Sequence, residues 1–177
     1  MTKALRFRRY DPRDQSAVVE LHEWAMREAG TDPADIPGTE DVQNIEATYL
    51  DGDGEFVVGI VDSLDPSVPE TFDGQVAAMG GFLPNESGHA DERTVPGSVE
   101  LHRMRVAPPA QGQGFGRALL AELEKRVDDG YERLLATTAQ RQHRALALYA
   151  DAGYEEVERS EHGEYELVHF EKQVRED

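Results

Sequence analysis

A chain of 177 residues with 38% apolar content is long enough for one domain with a sizeable core, and its lack of cysteine excludes a disulfide framework, a thiolate zinc site and a cysteine nucleophile. Asp and Glu number 36 against 18 Lys and Arg, a net charge of -18, so the basic stripe that nucleic-acid binding requires is missing. No apolar run approaches the ~18 residues of a membrane span, and the start lacks the apolar stretch and cleavage site of a signal peptide, so a cytoplasmic location is expected.

In chain order, residues 4–9 read as a first strand. Over 14–30 the apolar residues Ala17, Val18, Leu21, Trp24, Ala25 and Met26 recur at helical spacing, and Gly30 is a natural stop. Residues 31–39, with two prolines and a glycine, read as loop, and 40–50 as a second, weaker helix. Asp51-Gly52-Asp53-Gly54 is a turn. Its acidity superficially suggests a calcium loop, but the remaining ligands and the closing glutamate are missing. Glu55–Val61 is a strand, 62–74 an acidic connection, 75–83 another strand and 84–97 a long polar loop carrying His89. Then come a strand over Ser98–Val106, a short loop over 107–111 and a helix over 113–128 with Ala118, Leu119, Leu120, Leu123 and Val127 on one face. A strand over 133–137, a helix over 141–152 closed by Gly153, and strands over 154–159 and 165–172 complete a mixed α/β single domain spanning 1–177, with its core at about 4–172.

The acid is spread along the chain, and the lysines are Lys3, Lys125 and Lys172. That pattern suits a halophilic, high-salt cytoplasm, where self-repulsion is screened while charge keeps the protein soluble. The alternative is an acidic surface that attracts cationic substrates.

The segment Gln111-Gly112-Gln113-Gly114-Phe115-Gly116-Arg117 stands where a strand ends and a helix begins. Glycines there let backbone approach a ligand, and the free amides of the helix N-terminus favour phosphate. The spacing fits neither the dinucleotide fingerprint G-x-G-x-x-G, because the gap from Gly114 to Gly116 is one residue too short, nor the Walker loop, because Gly116 is followed by Arg117. Glycine spacing alone leaves open a ligand-free strand-to-helix turn.

With Val106 and Pro108 before it, the string resembles the signature of the GNAT acetyltransferase superfamily, a strand ending Val-x-Pro followed by Q/R-x-x-G-x-G/A. Ala145-Leu146-Ala147-Leu148-Tyr149, followed by Gly153-Tyr154, is similar to the family's second block. The resemblance implies a mostly antiparallel mixed sheet flanked by helices and splayed between its fourth and fifth strands. It implies acetyl-CoA as co-substrate, no metal, and a primary amine (small molecule, peptide or protein) as acceptor, with a homodimer possible. Backbone amides of Gly112, Gln113, Gly114, Phe115, Gly116 and Arg117, with Gln111 beside them, would hold the pyrophosphate. Met104, Arg105 and Val106 would pair with the pantetheine arm like an added strand. Gln142 stands where the second block usually has an Asn near the cofactor.

Transfer to an amine needs a base, because an alkylammonium has a pKa near ~10.4, and the departing thiolate benefits from a donor. The resemblance places Tyr149 as general acid, with a core-filling tyrosine as the alternative, and Glu100 as general base. Glu100 could instead pair with Arg103, Arg105 or a substrate amine. His102, on the same strand face by alternation, is the reserve base. Members that acetylate ribosomal-protein N-termini carry a catalytic glutamate twelve residues before the tyrosine, where this chain has Thr137, which counts against that activity. His22, His89, His143 and His162 show no ligand spacing. A non-catalytic acyl-CoA sensor and a module for another phosphorylated ligand are the other readings.

Overall fold

The structure, a computed structural model, describes residues 4–28, 30, 40–85, 95–140 and 142–174. The expected loop over 31–39, His89 and most of the loop around it lie outside the described residues. The strands are β1 (Arg6–Arg9), β2 (Glu55–Val61), β3 (Glu70–Thr71), β4 (Gly74–Pro84), β5 (Ser98–Val106), β6 (Arg133–Ala139), β7 (Glu155–His162) and β8 (Tyr165–Gln173). The helices are α1 (Gln15–Glu28), α2 (Glu40–Gln43), α3 (Phe115–Arg126) and α4 (His143–Asp151).

One sheet runs β1-β2-β4-β5-β6-β8-β7, with β3 paired to β4, and all its pairings are antiparallel except β5 with β6. Helices cover both faces, so β2 and β4 are apolar along nearly their whole length rather than alternating, whereas β5 keeps polar residues at alternate positions. Phe56, Val58, Ile60, Ala77 and Met79 join α1 in one core, while Val57, Ala78, Val99 and Leu101 join Leu119, Leu120 and Leu123 of α3 in the other. By area bookkeeping each such fully buried side chain contributes roughly 1.5–3 kcal/mol.

The sequence misplaces several boundaries for physical reasons. The helix expected from residue 14 begins at Gln15, because Pro12–Asp14 forms a 3-10 turn. The Asp14 carboxylate accepts from the Asp11 backbone N–H and from Arg8 at 2.7 and 2.8 Å. Arg8 also binds Asp73, and these hydrogen bonds, Asp14 first, raise its already high pKa. The helix expected over 40–50 is α2 followed by a separate π-helical turn, Glu46–Leu50. The connection expected over 62–74 contains β3, which reaches β4 through a tight turn with Thr71 opposite Gly74. The helix expected from 113 begins at Phe115 because Gly114 is left-handed at φ 83°, and Val127 ends α3 in extended conformation rather than continuing it.

Two features of β5 shape the site. Met79 opposes Arg105 while Gly81 opposes His102, so β5 carries one extra residue, a bulge centred on Arg103 at φ 56°. The bulge lays Met104 over Gly80, where an added Cβ would stand 3.1 Å from Met104. Second, β5 pairs with β6 only through Ser98–Arg133, Val99–Leu134 and Glu100–Leu135. Beyond Glu100 the two strands part, β6 continuing along β8 to Ala139. This seam is the expected splay.

Candidate active site

The Gly-rich loop caps one side of the seam. Pro108–Ala110 forms a 3-10 turn and α3 starts at Phe115. Gly112 and Gly114 adopt φ 78° and 83°, and a Cβ built on either meets no atom of the described residues within 4 Å. Their backbone therefore faces open space, as a cradle for an anionic group requires, and the amides at the start of α3 add the positive end of its dipole. Gly116 lies within the helix, where a Cβ would make ordinary contacts with Leu148 and Val106. Gln111 braces the loop, since its side-chain amide donates to the Val106 carbonyl and its oxygen accepts from Arg144 of α4 at 2.7 Å. Gln113 donates to the Pro109 carbonyl. Arg117 lies exposed, 3.5 Å from Asp151. Gln142 precedes α4 and accepts from the Thr138 hydroxyl at 3.1 Å. A loop whose glycines leave a cradle that side chains would fill fits the pyrophosphate of acetyl-CoA.

Tyr149 stands on the α3–α4 face of the seam, 7% exposed. Its ring packs against Tyr154 and Phe170, each 5.4 Å away by centroid, and its hydroxyl points to the Met104 sulfur at 3.6 Å. Burial pushes its pKa up to about 12, so the hydroxyl keeps its proton near neutrality. It fills core space, as the bland alternative has it, and its hydroxyl also reaches across the seam to β5.

Glu100 stands on the opposite face, 2% exposed, and accepts from the Thr137 hydroxyl at 3.0 Å. Arg103, a partner considered for Glu100, binds Asp41 with two contacts of 2.9 Å. Burial opposes ionisation of Asp41, but the Arg103 hydrogen bonds and charge, with a hydrogen bond from Tyr49, hold its pKa below the usual carboxylate value. Tyr49 donates to Asp41 at 2.7 Å and lies 3.4 Å from His102 Nδ1, which ties the reserve base to the turn after α2. Arg105 is half-buried; its Nη1 donates to the Met104 carbonyl, while its Nε finds no hydrogen-bond partner among the described residues. Burial, then the neighbouring Arg103 charge, draws its pKa down to about 10. His22 of α1 is 2% exposed, neither ring nitrogen has a hydrogen-bond partner among the described residues, and burial lowers its pKa to about 3. Among the described residues no group of three or more His, Asp or Glu side chains is placed to hold a metal ion.

The acetyltransferase (GNAT) family model matches residues 18–154, which takes in most of α1, the seam, the Gly-rich loop and Tyr149. The chain belongs to the GNAT family. It is 34% identical over 103 residues to the N-alpha-acetyltransferase RimI of Mycobacterium tuberculosis, a stretch that covers 52% of this chain and 64% of that relative. In fold it is similar to a GNAT acetyltransferase from Staphylococcus aureus Mu50, with a TM-score of 0.74 at 15% identity over 97% of this chain and all of that one. It is also similar to yncA of Salmonella typhimurium, solved with its cofactor acetyl-CoA, with a TM-score of 0.70 at 21% identity over 98% of this chain and 96% of that one.

Within this GNAT framework the structure draws together residues that the sequence left apart. Thr137, noted only for standing where other members have a glutamate, presents its hydroxyl to Glu100. Asp41, Tyr49 and His169 were not singled out. Alternation places Thr137 and His169 opposite the apolar face of their strands, but only the sheet register makes them neighbours.

Proposed function

We propose that the protein transfers acetyl from acetyl-CoA to a primary amine. The observation that carries this reading is the seam: among the described residues β5 beyond Glu100 has no strand partner on the β6 side, directly beside the Gly-rich loop. An extended pantetheine arm can pair there with backbone groups of residues 104–106 while the amides of residues 112–117 receive the pyrophosphate. Arg144 of α4, two residues after Gln142, donates to Gln111 of the same loop, which supports a place for Gln142 near the cofactor.

The thioester carbonyl then lies between the two faces of the seam. Glu100, directly or through water, takes a proton from the acceptor ammonium and frees its lone pair for attack. Backbone N–H groups at the bulge polarise the carbonyl. The Tyr149 hydroxyl, kept protonated by its raised pKa, gives its proton to the departing sulfur. α2 and the turn after it bound the acceptor side, where Asp41 and Tyr49 reach Arg103 and His102 of β5, and such connecting segments are where specificity belongs. Placement in the cytoplasm, and adaptation to high salt, belong to the same reading and rest on composition.

The test is thiol release from acetyl-CoA across a panel of small amines, polyamines, amino acids and N-terminal peptides. Amine-dependent release with a matching acetylated product supports the reading. Tight acetyl-CoA binding with no release for any amine class would transfer it to a non-catalytic acyl-CoA sensor.

A further inference from the structure

Behind Glu100 a line of polar side chains crosses three strand boundaries. Thr137 Oγ1 on β6 lies 3.0 Å from Glu100 Oε1 and 2.9 Å from His169 Nδ1 on β8. His169 Nε2 lies 2.7 Å from Ser160 Oγ on β7. Thr137 and His169 are directly opposed in the antiparallel ladder. Glu100 and His169 are each 2% exposed, so this is a buried network and not a surface cluster. Buried polar groups cost free energy unless satisfied, so an apolar core would be the cheaper filling for a sheet of this kind.

The reaction has a use for it. An ammonium acceptor and acetyl-CoA yield an amide, a thiol and one proton. Of the two protons the nitrogen loses, one ends on the thiol and the other needs a holder. If Glu100 keeps that proton, it faces the reaction as a neutral acid while the nitrogen is still cationic.

We propose that His169 is the proton sink behind Glu100, reached through the Thr137 hydroxyl and held in the required tautomer by Ser160. This rests on the reading of Glu100 as the base. In this relay the neutral ring carries its proton on Nε2 and donates it to Ser160 Oγ, and the single Thr137 hydroxyl hydrogen, which points to Glu100 while that is a carboxylate, turns to Nδ1 once Glu100 is protonated. When Glu100 has taken the acceptor's proton, its O–H bond breaks as an O–H bond forms on Thr137 Oγ1. The hydroxyl proton that Thr137 already carried passes to Nδ1. Glu100 is again a carboxylate and His169 an imidazolium; one proton has moved and no electrons have been transferred. It returns by the same path to water in the emptied site after the products leave. Thr137, His169 and Ser160 are thus positioning and relay residues, and Glu100 alone of the four meets the substrate.

Two measurements test this. The first needs no acceptor: the imidazole nitrogen shifts of His169 are followed against pH by NMR in the wild type and in Glu100→Gln. Losing a neighbouring negative charge lowers an imidazolium pKa, so the midpoint should fall by roughly one pH unit. Glu158, opposite His169 on β7, and Glu171, two residues along β8, are present in both proteins, so the comparison isolates Glu100. The second uses the amine turned over fastest in the panel above. Thr137→Val keeps the shape and removes the hydroxyl; it should slow single-turnover transfer by about tenfold or more with KM values unchanged, and Thr137→Ser should restore most of the rate. An unmoved His169 midpoint in Glu100→Gln, or wild-type turnover in Thr137→Val, overturns the proposal. If no amine is acetylated, the enzyme reading fails, while the His169 midpoint still reports whether the two groups are coupled.

Discussion

Tyr149 and Glu100 are tested by replacements that keep shape. Tyr149→Phe removes the donor and leaves the ring packed on Tyr154 and Phe170. It should lower turnover by ~10²-fold or more with acetyl-CoA affinity little changed, measured by steady-state kinetics beside calorimetry. Glu100→Gln should lower turnover most at low pH, where neutral amine is scarce, and least as pH nears the amine's own pKa. A Glu100 that only pairs with the acceptor would instead raise KM at constant turnover. The loop glycines need a control, because Gly114 at φ 83° strains any replacement whatever it binds. Gly97, at φ 77° with no atom of the described residues within 4 Å of an added Cβ, supplies it. Gly114→Ala and Gly97→Ala should each cost about 1 kcal/mol in urea denaturation. Only Gly114→Ala should weaken acetyl-CoA binding in calorimetry, and equal affinities would remove the loop from the pyrophosphate site.

Helix α1 makes a prediction about acid. His22 lies buried between α1 and the sheet and titrates near 3 when folded, against ~6.5 in an unfolded chain. Because the folded pKa is depressed, the unfolded state holds the extra proton between those limits. The neutral ring is therefore tolerated fully above ~6.5, and stability falls as pH drops toward 3, by up to about 1.4 kcal/mol per pH unit. Urea midpoints at pH 7 and 5 should show the wild type losing roughly 2 kcal/mol more than His22→Leu; parallel losses would mean that His22 is not held neutral. Legibility also divides at this scale. Glu55–Val61 and Ser98–Val106 could be read to the residue, because apolar runs bounded by turn residues leave little choice. The bulge could not, since an arginine at positive φ carries none of the signal that glycine or asparagine would. Nor could β3, whose two residues are too few for a period. The Gly-rich loop was legible because neighbours in sequence build it. The line from Glu100 to Ser160 was not, because its members are 37, 32 and 9 residues apart and only the strand order assembles them.

For the whole molecule, a net charge of -18 predicts a salt response. Self-repulsion between carboxylates should be screened by molar KCl, so the thermal midpoint should rise well above its value at about 0.1 M. Comparing chloride with sulfate separates screening from general salting-out, and a flat midpoint in KCl would argue against high-salt adaptation. No helix among the described residues is long and apolar enough to cross a membrane. The seam has a mechanical consequence as well. Three backbone rungs join the halves of the sheet at one end. Farther along, Glu100 is stitched to Thr137 on one face and Met104 to Tyr149 on the other. The side chains assigned to proton transfer are therefore also sutures that set the width of the gap. Tyr149→Phe cuts a weak stitch to sulfur, whereas Glu100→Gln leaves an amide oxygen for Thr137 to hold. The first substitution loosens the joint while it removes a proton, and the second removes a charge with the joint still sewn.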